Sequence, residues 1–185
     1  MADWYDHIDD ARRALIERQH IFFVATAGAD PDGLVNLSPK GRTLLRVLGP
    51  KLVGYLDYPG SGNETAKRLA GNDRITLMVC SFDGPAGVLR LYGRGRRVDL
   101  DAPELSQHRN AFSGDFHPYV RQAFFIDVDA VQTSCGYAVP RMEFVSDRDT
   151  LDRWCENKLE PRAMTDGVPQ PGRFVRKDGS EMAPR

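Results

Sequence analysis

The chain has 185 residues, of which 41% are hydrophobic and 28% charged, and a formal net charge of -1; this is the size and composition of one globular domain with a substantial core. The near-zero balance, with no block of basic residues, gives no electrostatic case for nucleic acid, and no apolar run approaches the roughly 20 residues that cross a bilayer. Three cysteines, Cys80, Cys135 and Cys155, are few, odd in number and far apart, which argues against a disulfide framework and for a reducing, cytoplasmic setting.

The first residues, Met-Ala-Asp-Trp-Tyr-Asp-His, carry neither the basic nor the apolar region of a signal peptide. Residues 8–19 predict a helix, with Ile8, Ala11, Leu15 and Ile16 on one face. Residues 20–26 are β-branched and aromatic and too few for a buried helix, so they predict a strand. Residues 29–33, with Asp and Gly, suit a tight reversal. Strands follow at about 34–38, 43–48 and 51–57, with Gly49-Pro50 turning between the last two. Pro59-Gly60-Ser61-Gly62 leads into a short helix over 63–70, whose end at Gly71-Asn72 fits a left-handed cap.

Residues 74–82 and 87–98 predict two more strands, and Gly93 and Gly95 mark a bulge or bend in the second. Residues 103–112 predict a helix with proline in its first turn; 113–121 form an irregular loop and 123–131 a strongly apolar strand. Residues 149–158 predict a last helix, with Leu151, Trp154 and Cys155 at apolar spacing and Trp154 as a core or dimer anchor. Proline and glycine break any period after Glu160. The expected organisation is one domain over 1–159 and an irregular tail over 160–185. The expected fold is mainly β with peripheral helices (α+β), about six strands forming a small antiparallel barrel.

The helix start at Asn63 leaves N–H groups unpaired and carries partial positive charge, which suits a phosphate, and Lys40 can add a full charge. A capped helix after a strand is also an ordinary connection. The histidines at 7, 20, 108 and 117 have no pair at metal spacing, and there is no Cys-x-x-Cys. The nucleophile elbow, the phosphate loop and the dinucleotide glycine motif are all missing. Side chains alone offer no catalytic constellation, so an enzymatic role calls for a bound cofactor. Arg96 and Arg97 read as a solvated strand face; Arg90 and Arg94 share a face by the period of two and can point into a cleft.

Three segments, Val35-Asn36-Leu37-Ser38-Pro39-Lys40-Gly41, Gly60-Ser61-Gly62-Asn63-Glu64-Thr65-Ala66 and Arg90-Leu91-Tyr92-Gly93-Arg94-Gly95, resemble the pyridoxamine 5'-phosphate oxidase-related flavin-binding proteins. Thr133-Ser134-Cys135-Gly136-Tyr137-Ala138-Val139-Pro140 is similar to the C-terminal motif of one bacterial branch of that group. The resemblance runs from about residue 18 to 158. It implies a split β-barrel of six strands and a homodimer with flavin mononucleotide (FMN) in two clefts at the subunit interface.

By position, the resemblance puts Lys40 on the flavin phosphate and Ser38, Pro39, Gly41 and Arg42 along the isoalloxazine ring. Leu56 and Asp57 fall on the neighbouring strand, whose end faces the ribityl chain. Asn63, Glu64 and Thr65 match the phosphate-gripping run of the true oxidases without its positive charges, and Arg68 is the substitute one turn on. Arg90 and Cys135 complete the expected cofactor set; Cys135 either closes the flavin site, from the partner subunit, or is a packing cysteine in a turn. The segment after Pro140 does not match the arginine- and histidine-bearing segment that holds substrate in true oxidases, so vitamin B6 oxidation is not expected. The expected activity is an FMN-dependent oxidoreductase acting on a small molecule, the hydride passing through flavin N5. The alternatives are a flavin carrier or sensor without turnover, or a split barrel using deazaflavin F420 or haem; without a well-placed axial histidine, haem is the weakest.

Overall fold

The computed structural model describes residues 2–42, 44–60 and 62–182. The long strand β8 (Gln122–Ser134) is flanked along its whole length by β7 (Val88–Val98). Its other edge is shared end to end. β5 (Leu52–Asp57) pairs from Asp57↔Gln122 to Leu52↔Asp127, and β1 (Ala2–Tyr5) pairs from Tyr5↔Val131 to Ala2↔Ser134. β2 (Phe22–Ala27), β3 (Val35–Lys40), β4 (Arg46–Gly49) and β6 (Arg74–Cys80) extend the sheet in the order β3-β2-β6-β7-β8-β5-β4, all antiparallel. The outer strands β3 and β4 do not pair, so the barrel is split, as expected.

One face of the curled sheet encloses the core. Phe22, Val24, Tyr55, Leu77, Leu89, Leu91, Phe124 and Ile126 are almost completely buried there, with Ile16 of α1 (Asp10–Glu17) packed against them. Burying such side chains is the main favourable contribution to folding. The opposite face of β5 and β8 is covered too: Leu56, Ala123 and Phe125 pack with Leu105 of α3 (Pro103–His108) and with Phe112 of the 3-10 turn Arg109–Phe112. A strand buried on both faces loses its alternation, which is why 123–126 reads as a continuous apolar run, while the exposed Asp127 and Asp129 restore the alternation beyond it. The Asp9 carboxylate accepts from the Arg12 N–H at 2.9 Å and caps α1, which starts two residues later than the expected 8–19. Three predicted features take the expected form. The reversal at 30–33 closes through Gly33 N–H to the Asp30 carbonyl. α2 (Glu64–Gly71) follows the glycine turn. The β7 register shifts between Tyr92 and Gly93, where an added Cβ would lie 2.1 Å from the Asp127 carbonyl oxygen.

Other elements differ from expectation. β1 has no apolar signal of its own and exists because the far half of β8 needs a neighbour. Asn72 is extended (φ -154°, ψ 109°) rather than left-handed, because its side chain joins the Gly28 carbonyl to the Arg74 N–H at the entry to β6. The single helix expected over 103–112 is α3 followed by the 3-10 turn. In α4 (Thr150–Lys158), Cys155 enters the interior while Trp154 stays 37% exposed. The segment beyond Leu159 folds back: β9 (Met164–Thr165) and β10 (Val168–Pro169) form a small hairpin. Phe174 is buried against Tyr119, Cys155 and Leu159. Among the described residues no helix is long and apolar enough to cross a membrane.

Candidate functional site

Strand register gathers polar groups at one end of the barrel. Lys40 is paired with the core residue Phe22, and Asp57 lies two residues beyond the core residue Tyr55, directly opposite Gln122. Alternation turns Lys40 and Asp57 toward the barrel mouth. The Asp57 side chain is only 4% exposed. It accepts from Arg121 Nη2 at 2.7 Å, Arg121 Nε at 3.2 Å and Gln122 Nε2 at 2.9 Å, and Lys40 Nζ lies at 3.3 Å. A buried carboxylate needs this many partners to stay charged at tolerable cost.

The network reaches the start of α2. Arg121 Nη1 donates to the Gly62 carbonyl at 3.3 Å and Gln122 Nε2 to Asn63 Oδ1 at 2.9 Å. Asn63 therefore does not cap α2, and the first-turn N–H groups lack a side-chain acceptor from it. The Glu64 carboxylate folds back over Gly62, where an added Cβ would lie 2.0 Å from Oε1. Thr65 is buried near Tyr55. Burial first, then the Asp57 charge, pushes the Tyr55 hydroxyl well above the usual tyrosine range.

A cavity of about 480 Å³ opens beside this network. Gly60, Gly62, Asn63, Arg121 and Gln122 form one wall; Trp154, Arg162, Phe174 and Arg176 of α4 and the folded-back segment form the other, with Arg97 of β7 at the rim. Arg162 donates to the carbonyls of Val120 (3.0 Å), Arg121 (3.4 Å) and Gly172, and its guanidinium lies 4.0 Å from the Phe174 ring centre. Burial, and secondarily the charge of Arg121, lower its pKa from the ordinary arginine value.

Of the residues expected from sequence, Lys40, Asp57, Asn63, Glu64 and Thr65 come together here. Leu56 does not: one residue from Asp57, it faces the α3 layer and is wholly buried. Ser38 Oγ pairs with the Asn36 amide at 3.2 Å, and Pro39 lies opposite Phe23 on β2. Gly41 follows the strand beside the His20 carbonyl. Arg42 has φ +66° and forms an ion pair with Asp152 of α4 at 2.9 Å. Arg68 donates to the Leu34 carbonyl, beside the turn between β2 and β3. Arg94, which shares a sequence face with Arg90, pairs with Asp73 at 2.7 Å and is exposed.

Arg90 donates to Ser134 Oγ at 3.2 Å and is paired with Gln132. Gln132 is ten residues along β8 from Gln122, roughly 33 Å at strand spacing. Cys135, exposed, lies past that same end. It precedes Gly136, whose φ of +60° and close approach to Gly87 (2.7 Å from an added Cβ) account for glycine in that motif. Sequence reasoning missed Arg121, Gln122 and Arg162. Arg121 ends a segment that reads as an irregular loop, and Arg162 sits among chain-breaking prolines; neither has a local signal.

Residues 8–134 match the family model described as pyridoxamine 5'-phosphate oxidase. The pyridoxamine 5'-phosphate oxidase family protein ustO of Aspergillus flavus is 31% identical over 177 residues, 95% of this chain and 68% of that protein. Two crystal structures of HupZ from Group A Streptococcus share the fold. One, of a variant, has a TM-score of 0.55 at 18% identity over 69% of this chain and 99% of that one. The other has a TM-score of 0.53 at 19% identity over 67% and 91%.

Proposed function

Because the chain belongs to the pyridoxamine 5'-phosphate oxidase family, we propose that it binds flavin mononucleotide and acts as an oxidoreductase on a small molecule. The observation that carries this is the Lys40–Asp57–Arg121 cluster at the start of α2. Two positive charges face one carboxylate, and the adjoining helix start has N–H groups without a side-chain cap. Surplus charge and free donors at a helix N-terminus are what a phosphate monoester needs, and the residues present fit one once the Glu64 side chain turns off Gly62. Lys40, Arg121 and the first turn of α2 hold the phosphate, and Gln122 keeps Asn63 oriented. The bound flavin supplies a hydride acceptor and donor at N5.

The chain works as a homodimer. Val35 and Leu37 on β3 and Trp4 on β1 are 68%, 64% and 60% exposed, an apolar strand face that a second copy covers. Arg90 and Cys135, at the far end of β7 and β8, then serve the partner's cofactor. Three free cysteines suit a cytoplasmic, reducing setting. A flavin carrier without turnover is the second reading, favoured by Asp57, whose oxygens are already engaged by three side chains. The first test is the visible spectrum of the purified protein and titration of its flavin-free form with FMN. Lys40→Ala should weaken FMN binding roughly 10- to 100-fold, the loss of one charge-assisted contact. An unchanged dissociation constant removes Lys40 from the phosphate site, and a wild-type protein that never takes up FMN ends the proposal. Steady-state reduction by NADH or NADPH with varied acceptors separates the enzyme from the carrier.

A further inference from the structure

We infer that the cavity between the start of β8 and the folded-back segment 160–182 binds a small planar organic anion, its carboxylate or phosphate on Arg162 and Arg176 and its ring against Trp154. The volume of about 480 Å³ lies within the roughly 300–1,000 Å³ of small-molecule sites.

The charge count points to an anion. Five arginines line the cavity: Arg97, Arg121, Arg162, Arg173 and Arg176. Three have carboxylate partners: Arg121 with Asp57 at 2.7 Å, Arg97 with Asp99 at 3.2 Å and Arg173 with Glu181 at 2.8 Å. Among the described residues, no acid lies within ion-pair distance of Arg162 or Arg176. Arg162 is not a loose surface side chain, since backbone carbonyls and the Phe174 ring fix it in place. Its Nε is buried without an acceptor. Carbonyl dipoles satisfy N–H groups and leave the net charge uncompensated, in a half-buried position that also feels the charge of Arg121. An anion entering the cavity relieves that cost, and the planar guanidinium fork of Arg176, whose side chain makes no hydrogen bond among the described residues, matches a carboxylate or phosphate two oxygens at a time.

The rest of the lining sets the body of the ligand. Trp154, 37% exposed although its neighbour Cys155 is buried, and Met182 provide apolar surface. The inference rests on the flavin assignment only in taking this anion as the substrate class, because the cavity adjoins the Lys40–Arg121 cluster.

The test is isothermal titration of the full-length FMN-loaded protein with benzoate, phenyl phosphate and, as a neutral control, benzamide. One or both anions should bind and thereby identify the preferred charged group, and benzamide should bind at least about tenfold more weakly. R162Q and R176Q should each weaken anion binding about tenfold or more, as expected for a charge-assisted contact, with the FMN dissociation constant within about twofold of wild type. Should R162Q fail to fold, R176Q, whose side chain makes no hydrogen bond among the described residues, decides alone. The inference is overturned if neither anion binds, if benzamide binds equally well, or if the folded variants keep wild-type affinity. It is also overturned if R162Q abolishes FMN uptake, since the cavity would then belong to the cofactor phosphate. If the wild type takes up no FMN at all, the flavin assignment fails separately, and the same titrations on the flavin-free protein decide the cavity.

Discussion

Replacing Arg121 by alanine removes the strongest partner of a carboxylate that is only 4% exposed. Arg121 makes two contacts to Asp57 Oδ2, at 2.7 and 3.2 Å, and a third to the Gly62 carbonyl. Breaking a buried ion pair by deleting one member costs about 3–5 kcal/mol when the survivor is left alone. Here Asp57 keeps Gln122 at 2.9 Å and Lys40 at 3.3 Å, so the expected loss is lower, about 2–3 kcal/mol. For a chain of 185 residues that is a fall in Tm of roughly 5–10 °C. Urea unfolding of wild type, Arg121→Ala, Asp57→Asn and the double variant measures both the loss and the coupling. Since Asp57→Asn removes the charge that needs compensating, the double variant should lose less than the sum, with a coupling of about 1 kcal/mol or more. A loss below about 0.5 kcal/mol at unchanged m would refute the buried-pair reasoning.

Gly136→Ala places a methyl 2.7 Å from the Gly87 backbone at a φ of +60°; it should cost about 1–3 kcal/mol, read as a lower Tm, and an unshifted Tm would show that the turn after β8 can move. Burial pushes the Cys155 thiol up to about 11 and the Tyr58 hydroxyl up to about 12, from ordinary values of 9.0 and 10.0. Both groups lose their protons at lower pH in the unfolded chain, so between about pH 9 and 12 the folded state binds more protons and stability falls as pH rises. Cys155→Ala should flatten the portion between about pH 9 and 11 in chemical denaturation, and an identical pH profile would contradict this. Leu37→Glu, on the exposed face of β3, should convert the proposed dimer to monomer in light scattering while leaving the circular dichroism unchanged; a variant that stays dimeric places the interface elsewhere, and a monomeric wild type removes the proposed dimer.

Much of the barrel was legible because the determinants are local. The run of apolar residues over 123–126, the alternation along β7 and the glycine interruption at Gly93 each demand one kind of backbone, whatever surrounds them. The turn before Asn63 likewise marks the start of α2. Lys40 and Asn63 were reachable from the helix start after the glycine turn and the charge on the preceding strand, and Asp57 by position through the family resemblance. β1 was not legible, because Ala2–Tyr5 becomes a strand only where β8 offers an open edge. Arg121, Gln122 and Arg162 were not legible either. Arg121 and Gln122 acquire a role from the β5–β8 register that sets Gln122 opposite Asp57. Arg162 acquires one from the return of residues 160–182 over Tyr119 and Cys155. Local pattern determines which backbone a segment takes, since torsional preference and burial on one face act within a few residues. Which charges meet, and which remain without a partner, depends on strand register and chain return; these are long-range contacts, and only the tertiary structure decided them.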